Sequence, residues 1–434
     1  METKFLNKNK IIIAAVVLVL LFAFGANLFR FATKKVTLTV WGVDLSRSEF
    51  EALFGGKSVR VGRANVFFDY QEKSAEEYET ALLNSFISSQ SPDIFMASNE
   101  QLGNFKNLIY PLDLNTRSYN IASLNNDFPT IVEKELVFDN QLYLMPLSID
   151  TLALYYNRNI FDSLSIPTGP KTWDDVRNLL PYLRKANSQN QLERAVISMG
   201  DSDTIKNSTD ILSLVIYQLN GSILNDAKDR SVINEFVSFN NQRIDPGQTA
   251  LSFYSSFYQP TNQNYSWSRS FGNDIDAFAQ NKLAMFIGYF SDKAIIQKKN
   301  PNLSFAVSEM PQSAHNMGVN FGKISGLSVS KQSQNKDLAW ALLLSVNNDF
   351  DWNNLFAIKK LPPARRSVIS NLYSDADFSI FAKQALSAKS FFNPDHRKVK
   401  SLFNEAIDNA NFSKDYKNAS SKLSQNLTNL LRGY

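Results

Sequence analysis

His315 and His396 are the only two histidines in the 434-residue chain, and there is no cysteine. The two imidazoles lie about 80 positions apart with no helical His pairing, which argues against a histidine metal site. The missing thiols exclude thiolate metal centres, disulfides, cysteine nucleophiles and a lipidated cysteine anchor. Asp and Glu number 41, yet no catalytic motif frames any pair of them. There is no Gly-x-Ser-x-Gly, no His-Glu-x-x-His and no P-loop. What remains is recognition chemistry: carboxylates and amides as hydrogen-bonding groups, and the faces of 33 Phe, 16 Tyr and 5 Trp. Two rings stand out. Tyr265 and Trp267 fall in a polar stretch, 258–270 (YQPTNQNYSWSRS), that reads as an exposed loop. An aromatic on such a loop marks a binding surface, the alternative being a lid over the local core.

The elements that must carry such groups alternate. Residues 35–41 (KVTLTVW) interleave β-branched and apolar positions and read as a first strand, with 60–68 as a second. Residues 73–88 place Ala75, Tyr78, Leu82, Leu83 and Phe86 at helical spacing. Ser91-Pro92-Asp93-Ile94-Phe95-Met96 is a turn entering a short buried strand. Thr172 is the N-cap of a further helix, with Asp174 and Asp175 in its first turn and Asp175 placed for a capping box. Strands alternating with helices predict an α/β fold with covered sheets. No internal repeat is present. The Pro362-Pro363 step reads as a linker, and the chain from Ala376 onward is helical in pattern, ending in an amphipathic run over 414–431.

The net charge of +4 is unevenly placed. Residues 1–35 hold six Lys/Arg and one acid; removing these from totals of 45 and 41 leaves 39 bases and 40 acids in the body. A nucleic-acid binder needs excess cations to displace counterions, so that class falls away. Lys4, Lys8 and Lys10 precede an uncharged stretch, 11–29, interrupted only by Asn27. As a helix it spans roughly 28 Å, close to the hydrocarbon thickness of about 30 Å. It reads either as a cleaved signal peptide, with Ala23, Gly25 and Ala26 near the cleavage point, or as a retained transmembrane signal anchor. The basic flanks are balanced and do not set orientation. The anchor is the expectation, because with no cysteine to acylate the helix is the only evident tether. Both readings put the body outside the cytoplasm.

Four segments in order carry a resemblance. They are Pro92-Asp93-Ile94-Phe95; residues 142–157 (LYLMPLSIDTLALYYN) with Lys171-Thr172-Trp173-Asp174-Asp175 behind them; residues 278–290 (FAQNKLAMFIGYF); and Ala339-Trp340-Ala341-Leu342-Leu343-Leu344 followed by Leu361-Pro362-Pro363-Ala364-Arg365. Together they resemble extracellular solute-binding proteins of family 1, the maltose-binding-protein-like substrate-binding components of ABC importers, from about Val36 to the C-terminus. The resemblance implies a two-lobed periplasmic-binding-protein fold with a hinge and an interlobe cleft. The first lobe would comprise 36–148 and 318–362, and the second 149–317 and 363–434, preceded by the anchor in 1–35. It also implies a monomer without a cofactor, sited at the outer face of the cytoplasmic membrane. Ligand binding would close the hinge, and the closed form would dock on ABC permease subunits.

The site residues follow from the same resemblance. Asp150 stands where the family has a sugar-contacting carboxylate, and a carboxylate suits a sugar by accepting two hydroxyls in defined geometry; the alternative is a cap or hinge contact. Tyr289 and Phe290 follow Gly288 where a stacking aromatic is frequent, the alternative being core packing. Ser98 and Asn99 take the first-lobe polar contact, with Asn99 a neutral substitute for a charge, or else form a solvated turn. Asn320 lies near a lobe crossover, and Trp41 and Asp44 face the expected cleft mouth. Trp173 and Trp340 match packing positions. The expected activity is therefore binding of a sugar or oligosaccharide, not catalysis. The alternatives are a surface-tethered recognition module, and further off a glycoside hydrolase, which would need two carboxylates about 5–10 Å apart.

Overall fold

The computed structural model describes residues 34–43, 45–54, 59–62, 64–189, 191–313, 318–349 and 361–433. The expected anchor at 11–29 and the candidate Asp44 lie outside the described residues. Among the described residues no helix is long and apolar enough to cross a membrane.

Nine strands frame the molecule: β1 Lys34–Gly42, β2 Ala64–Glu72, β3 Ile94–Ser98, β4 Met145–Thr151, β5 Ala153–Asn157, β6 Leu192–Ile197, β7 Leu283–Gly288, β8 Phe305–Ser308 and β9 Asn320–Val329. In β1 the alternation works as predicted: Val36, Leu38 and Val40 are buried while Thr37 and Thr39 are not. The single second strand expected over 60–68 is instead a hairpin. Gly62 adopts φ +58°, a left-handed turn conformation, and Val59–Val61 folds back antiparallel on β2. The helix expected over 73–88 is formed over Tyr78–Ile87. The helix Trp173–Leu183 has the full predicted capping box between Thr172 and Asp175.

The strands form two principal sheets. In the first, β1 lies between β2 and β3, parallel to both, and β3 pairs antiparallel with β9. The other edge of β9 pairs with β4, and the beginning of β9 pairs parallel with Ala388–Lys389. Gly326 permits this closeness, since a Cβ there would lie 2.1 Å from the Met145 carbonyl oxygen. In the second sheet β6 and β7 run parallel, and β5 pairs antiparallel with β7 and β8.

The chain passes between the sheets beside a common seam. Only Leu152 separates β4 of the first sheet from β5 of the second. The return runs from β8 to β9. A third segment, at 362–364, lies along β4 through Ile149 N–H to the Pro362 carbonyl and Ala364 N–H to the Leu147 carbonyl, each 3.1 Å. The long helices His396–Ser413 and Tyr416–Leu431 pack on each other. They also cover Pro246–Ser256, and the first of them meets Ser208–Gln218. The helical reading of the C-terminal part holds.

Candidate functional site

A chamber of about 270 Å³ opens between the two sheets. Strand β9 brings Phe321 and Lys323 to it, two residues apart and therefore on one face of the strand. Glu100 enters from the turn after β3. The first turn of helix Ser208–Gln218 supplies Thr209 and Asp210, and the segment entering helix His396–Ser413 supplies Phe391, Asn393 and His396.

Its electrostatic centre is Lys323. The ammonium meets Asp210 at 2.9 Å and Glu100 at 3.1 Å. Burial pulls the lysine pKa down, but Asp210 and Glu100 more than offset this and hold it above the ordinary value. The Tyr289 hydroxyl donates to Asp210 (2.9 Å), and the Tyr289 ring lies 4.8 Å from the Lys323 ammonium. A carboxylate from each side and a lysine on the connecting strand thus join the two halves.

Three polar atoms on the chamber wall have no hydrogen-bond partner: Thr209 Oγ1, Asn393 Oδ1 and His396 Nδ1. The other imidazole nitrogen of His396 faces Glu79 at 3.8 Å. A buried polar atom left unpaired costs about 1–3 kcal/mol, so three such atoms on residues lining one small space mark it as a place where polar partners are still to be supplied. A hydroxyl, an amide oxygen and an imidazole nitrogen complement a ligand rich in hydroxyls.

The predicted residues divide. Tyr289 belongs to the polar lattice at the chamber. Its neighbour Phe290 stacks on Phe378 at 4.4 Å and meets Phe381 edge-on at 5.2 Å, so it takes the packing alternative. Asp150 accepts from the Phe290 and Ser291 amides at 2.9 and 3.2 Å. Burial raises its pKa to about 6, against the pull of those two bonds. This is the cap reading: the carboxylate fastens a turn of the second sheet to the crossing strand, and Asp150 does not line the chamber. Asn99 is buried, donating to Ser390 Oγ (2.9 Å) and accepting from the Ile324 amide (2.8 Å). Ser98 forms a capping box with Gln101. Asn320 donates to the Leu152 carbonyl at 2.7 Å, tying two crossing segments. The Trp41 ring packs under the Lys73 ammonium at 3.9 Å.

The exposed-loop reading of residues 258–270 holds at 260–263 and 269–270 but fails at its two rings. Trp267 is 0% exposed, with its indole N–H donating to Thr204 Oγ1 at 2.9 Å, and Tyr265 is also buried. The polar residues around Trp267 conceal that Ser266 and Trp267 both donate backbone N–H groups to the Phe257 carbonyl, which folds the segment inward over the second lobe's core.

Lys323, Asp210, Glu100, Thr209, Asn393 and His396 were not among the predicted contacts. The available signals were slight: the polar Asn207-Ser208-Thr209-Asp210 ahead of an apolar helix, and a carboxylate directly after Asn99.

Comparison with known proteins agrees with this architecture. The sequence pattern of the family "bacterial extracellular solute-binding protein" matches residues 65–344. A maltodextrin-binding protein of Bacillus subtilis is 29% identical over 111 residues, 25% of this chain and 23% of its own length. A putative binding protein of Brucella abortus is 23% identical over 269 residues, 56% of each chain. The alignments thus span less than two thirds of these relatives. Among solved structures, the cyclic α-maltosyl-1,6-maltose binding protein of Arthrobacter globiformis superposes with a TM-score of 0.74 at 16% identity, covering 92% of this chain and 100% of that one. The maltose-binding periplasmic protein of Listeria monocytogenes, in complex with maltose, gives 0.70 at 18%, covering 91% and 98%. These likenesses establish the two-lobed periplasmic-binding-protein fold. With its matched pattern spanning well over half the sequence, the chain belongs to the bacterial extracellular solute-binding protein family.

Proposed function

We propose that this chain is the extracytoplasmic substrate-binding component of an ABC-type importer, holding a sugar or oligosaccharide between its lobes and delivering it to a membrane permease. It acts by binding and release, not catalysis. The lobes are 36–148 with 318–362, and 149–317 with 363–434. The observation that carries the reading is the interlobe chamber with Thr209 Oγ1, Asn393 Oδ1 and His396 Nδ1 unpaired on its wall. Sugar hydroxyls donate and accept, which suits these groups, and Phe321 and Phe391 on the same wall offer apolar faces to a sugar's C–H face. The names of the similar proteins, which bind maltose, maltodextrin or a cyclic maltosyl sugar, support the same class.

Calorimetry of the purified chain against neutral mono- and oligosaccharides tests this, with small-angle scattering to follow closure. A sugar at 100 times its dissociation constant stabilises the folded form by about 2.7 kcal/mol. Silence from every sugar, alongside binding of a peptide or a metal, refutes the assignment.

The uncharged stretch 11–29 and the basic residues on either side of it support a retained anchor at the outer face of the membrane. N-terminal sequencing of the protein from its own cells decides this. A mature start near Ala26 or Asn27, in the soluble fraction, overturns it.

A further inference from the structure

A second and larger cavity, about 380 Å³, lies beyond the partition formed by Ser390 and Phe391, which line both spaces. The partition is pinned from two directions. The Tyr217 hydroxyl donates to the Ser390 carbonyl at 2.6 Å, and Asn99 donates to Ser390 Oγ at 2.9 Å. Helix Thr130–Leu136, from the first-sheet side, contributes Lys134 and Glu135. The segment after helix Ser208–Gln218, from the second-sheet side, contributes Lys228, and strand Ala388–Lys389 contributes Lys389.

The charges here do not close among themselves. Among the described residues, none of Lys134, Lys228 and Lys389 forms an ion pair with a carboxylate. The Lys228 ammonium lies instead over the Phe138 ring at 4.0 Å, and that of Lys389 over the Tyr217 ring at 5.3 Å. Burial lowers the pKa of both lysines. Glu135 is only 6% exposed, and its Oε2 has no hydrogen-bond partner. Burial lifts its pKa to about 7 against the pull of Lys228 and Lys134. The one other acid on the wall, Asp226, is exposed. Lys134 and Lys389 are exposed and Lys228 is half-buried, so the wall presents three ammonium groups not held in ion pairs, which suits a negative charge, beside a buried carboxyl with an unpaired oxygen. The wall also has an apolar part, including Ile131, Leu224 and Phe392, beside the polar Thr130, Ser222, Asn225 and Ser387. A bare ion would leave that surface empty; a carbon skeleton covers it.

We propose that this compartment is a second ligand site, separate from the solute chamber, which binds a small hydroxylated organic anion of the sugar-acid class. Its carboxylate is held by Lys228 and Lys389, and a hydroxyl lies against Glu135. The site draws on both lobes, so the bound acid bridges them.

Calorimetry and thermal shift on the full chain test it, with glucuronate, gluconate, inorganic phosphate and neutral glucose as probes. One of the sugar acids is expected to bind and raise the melting temperature, with phosphate far weaker. Lys228→Met with Lys389→Met should weaken that binding by about tenfold or more, and Glu135→Gln should retain or strengthen it by removing a like charge. Thr209→Val, in the other chamber, should leave it unchanged. If the double variant does not fold, Lys134→Ala on the exposed helix face reports a smaller loss of the same kind. The proposal is overturned if no sugar acid binds, if phosphate binds as well as they do, or if loss follows Thr209→Val instead of the lysine variants.

Discussion

The most direct test of the chamber's electrostatics is a double-mutant cycle across Lys323 and Asp210. At about 3 Å and an effective dielectric near 20, two opposite unit charges attract by roughly 5 kcal/mol. Desolvation consumes most of this, since both groups leave water to meet. Asp210 is nearly buried, so its screening by solvent is weak; Glu100 keeps a third of its side-chain surface exposed. The Lys323–Asp210 coupling should therefore be about 1–3 kcal/mol, and the Lys323–Glu100 coupling below about 1 kcal/mol. Lys323→Met keeps the aliphatic stem and removes the charge. Asp210→Asn keeps an acceptor for the Tyr289 hydroxyl and removes the charge. Urea denaturation of the parent, both single variants and the double variant yields the coupling, provided fluorescence and circular-dichroism transitions coincide. A coupling under about 0.5 kcal/mol, or a larger one to Glu100, would mean that Lys323 does not join the lobes as described.

Two further outcomes are expected. Burial raises the pKa of Glu135 and Asp274 to about 7 and of Asp150 to about 6, so the folded protein holds protons that the unfolded chain releases near pH 4. These groups contribute stability that is fully present below about pH 4 and lost as pH rises through 6 to 7. Glu135→Gln should flatten that decline, by up to about 3 kcal/mol between pH 4 and 8; an unchanged slope in denaturation midpoints would refute its buried titration. Trp267→Phe removes the bond to Thr204 and leaves a void, so it should cost about 2–4 kcal/mol in thermal unfolding while sugar affinity stays unchanged. Weakened binding with normal melting would return Trp267 to the ligand site.

The fold was legible because its evidence is redundant along the chain. The alternation in 35–41, the capping box at Thr172 and the Pro362-Pro363 step each report a local preference that the tertiary structure keeps. The site was less legible because a contact depends on which face of an element a side chain occupies. Asn320 was singled out at the right strand, yet its side chain points to the Leu152 carbonyl, while Phe321 and Lys323, of the opposite parity, reach the chamber. Asn99 and Glu100 show the same one-residue displacement after β3. Trp267 failed differently. Composition around it suggested water, but two N–H groups converging on the Phe257 carbonyl turn the segment inward, and no local pattern announces a pairing with a residue ten positions earlier.

The three unpaired atoms and the three unpaired lysines lie on opposite sides of one two-residue partition, and this bears on how the protein would select its solute. The first compartment sets Lys323 between Glu100 and Asp210, with Lys206 and Lys400 also on its wall. The second sets Lys134, Lys228 and Lys389 beside Glu135 and Asp226. Each wall carries three lysines and two acids, and the difference lies in their pairing: Lys323 is bonded to both carboxylates of its wall, while among the described residues no lysine of the second wall forms an ion pair. The discrimination therefore rests on where the carboxylates stand: two flanking the lysine in one compartment, and in the other a single buried one whose pKa lies near 7.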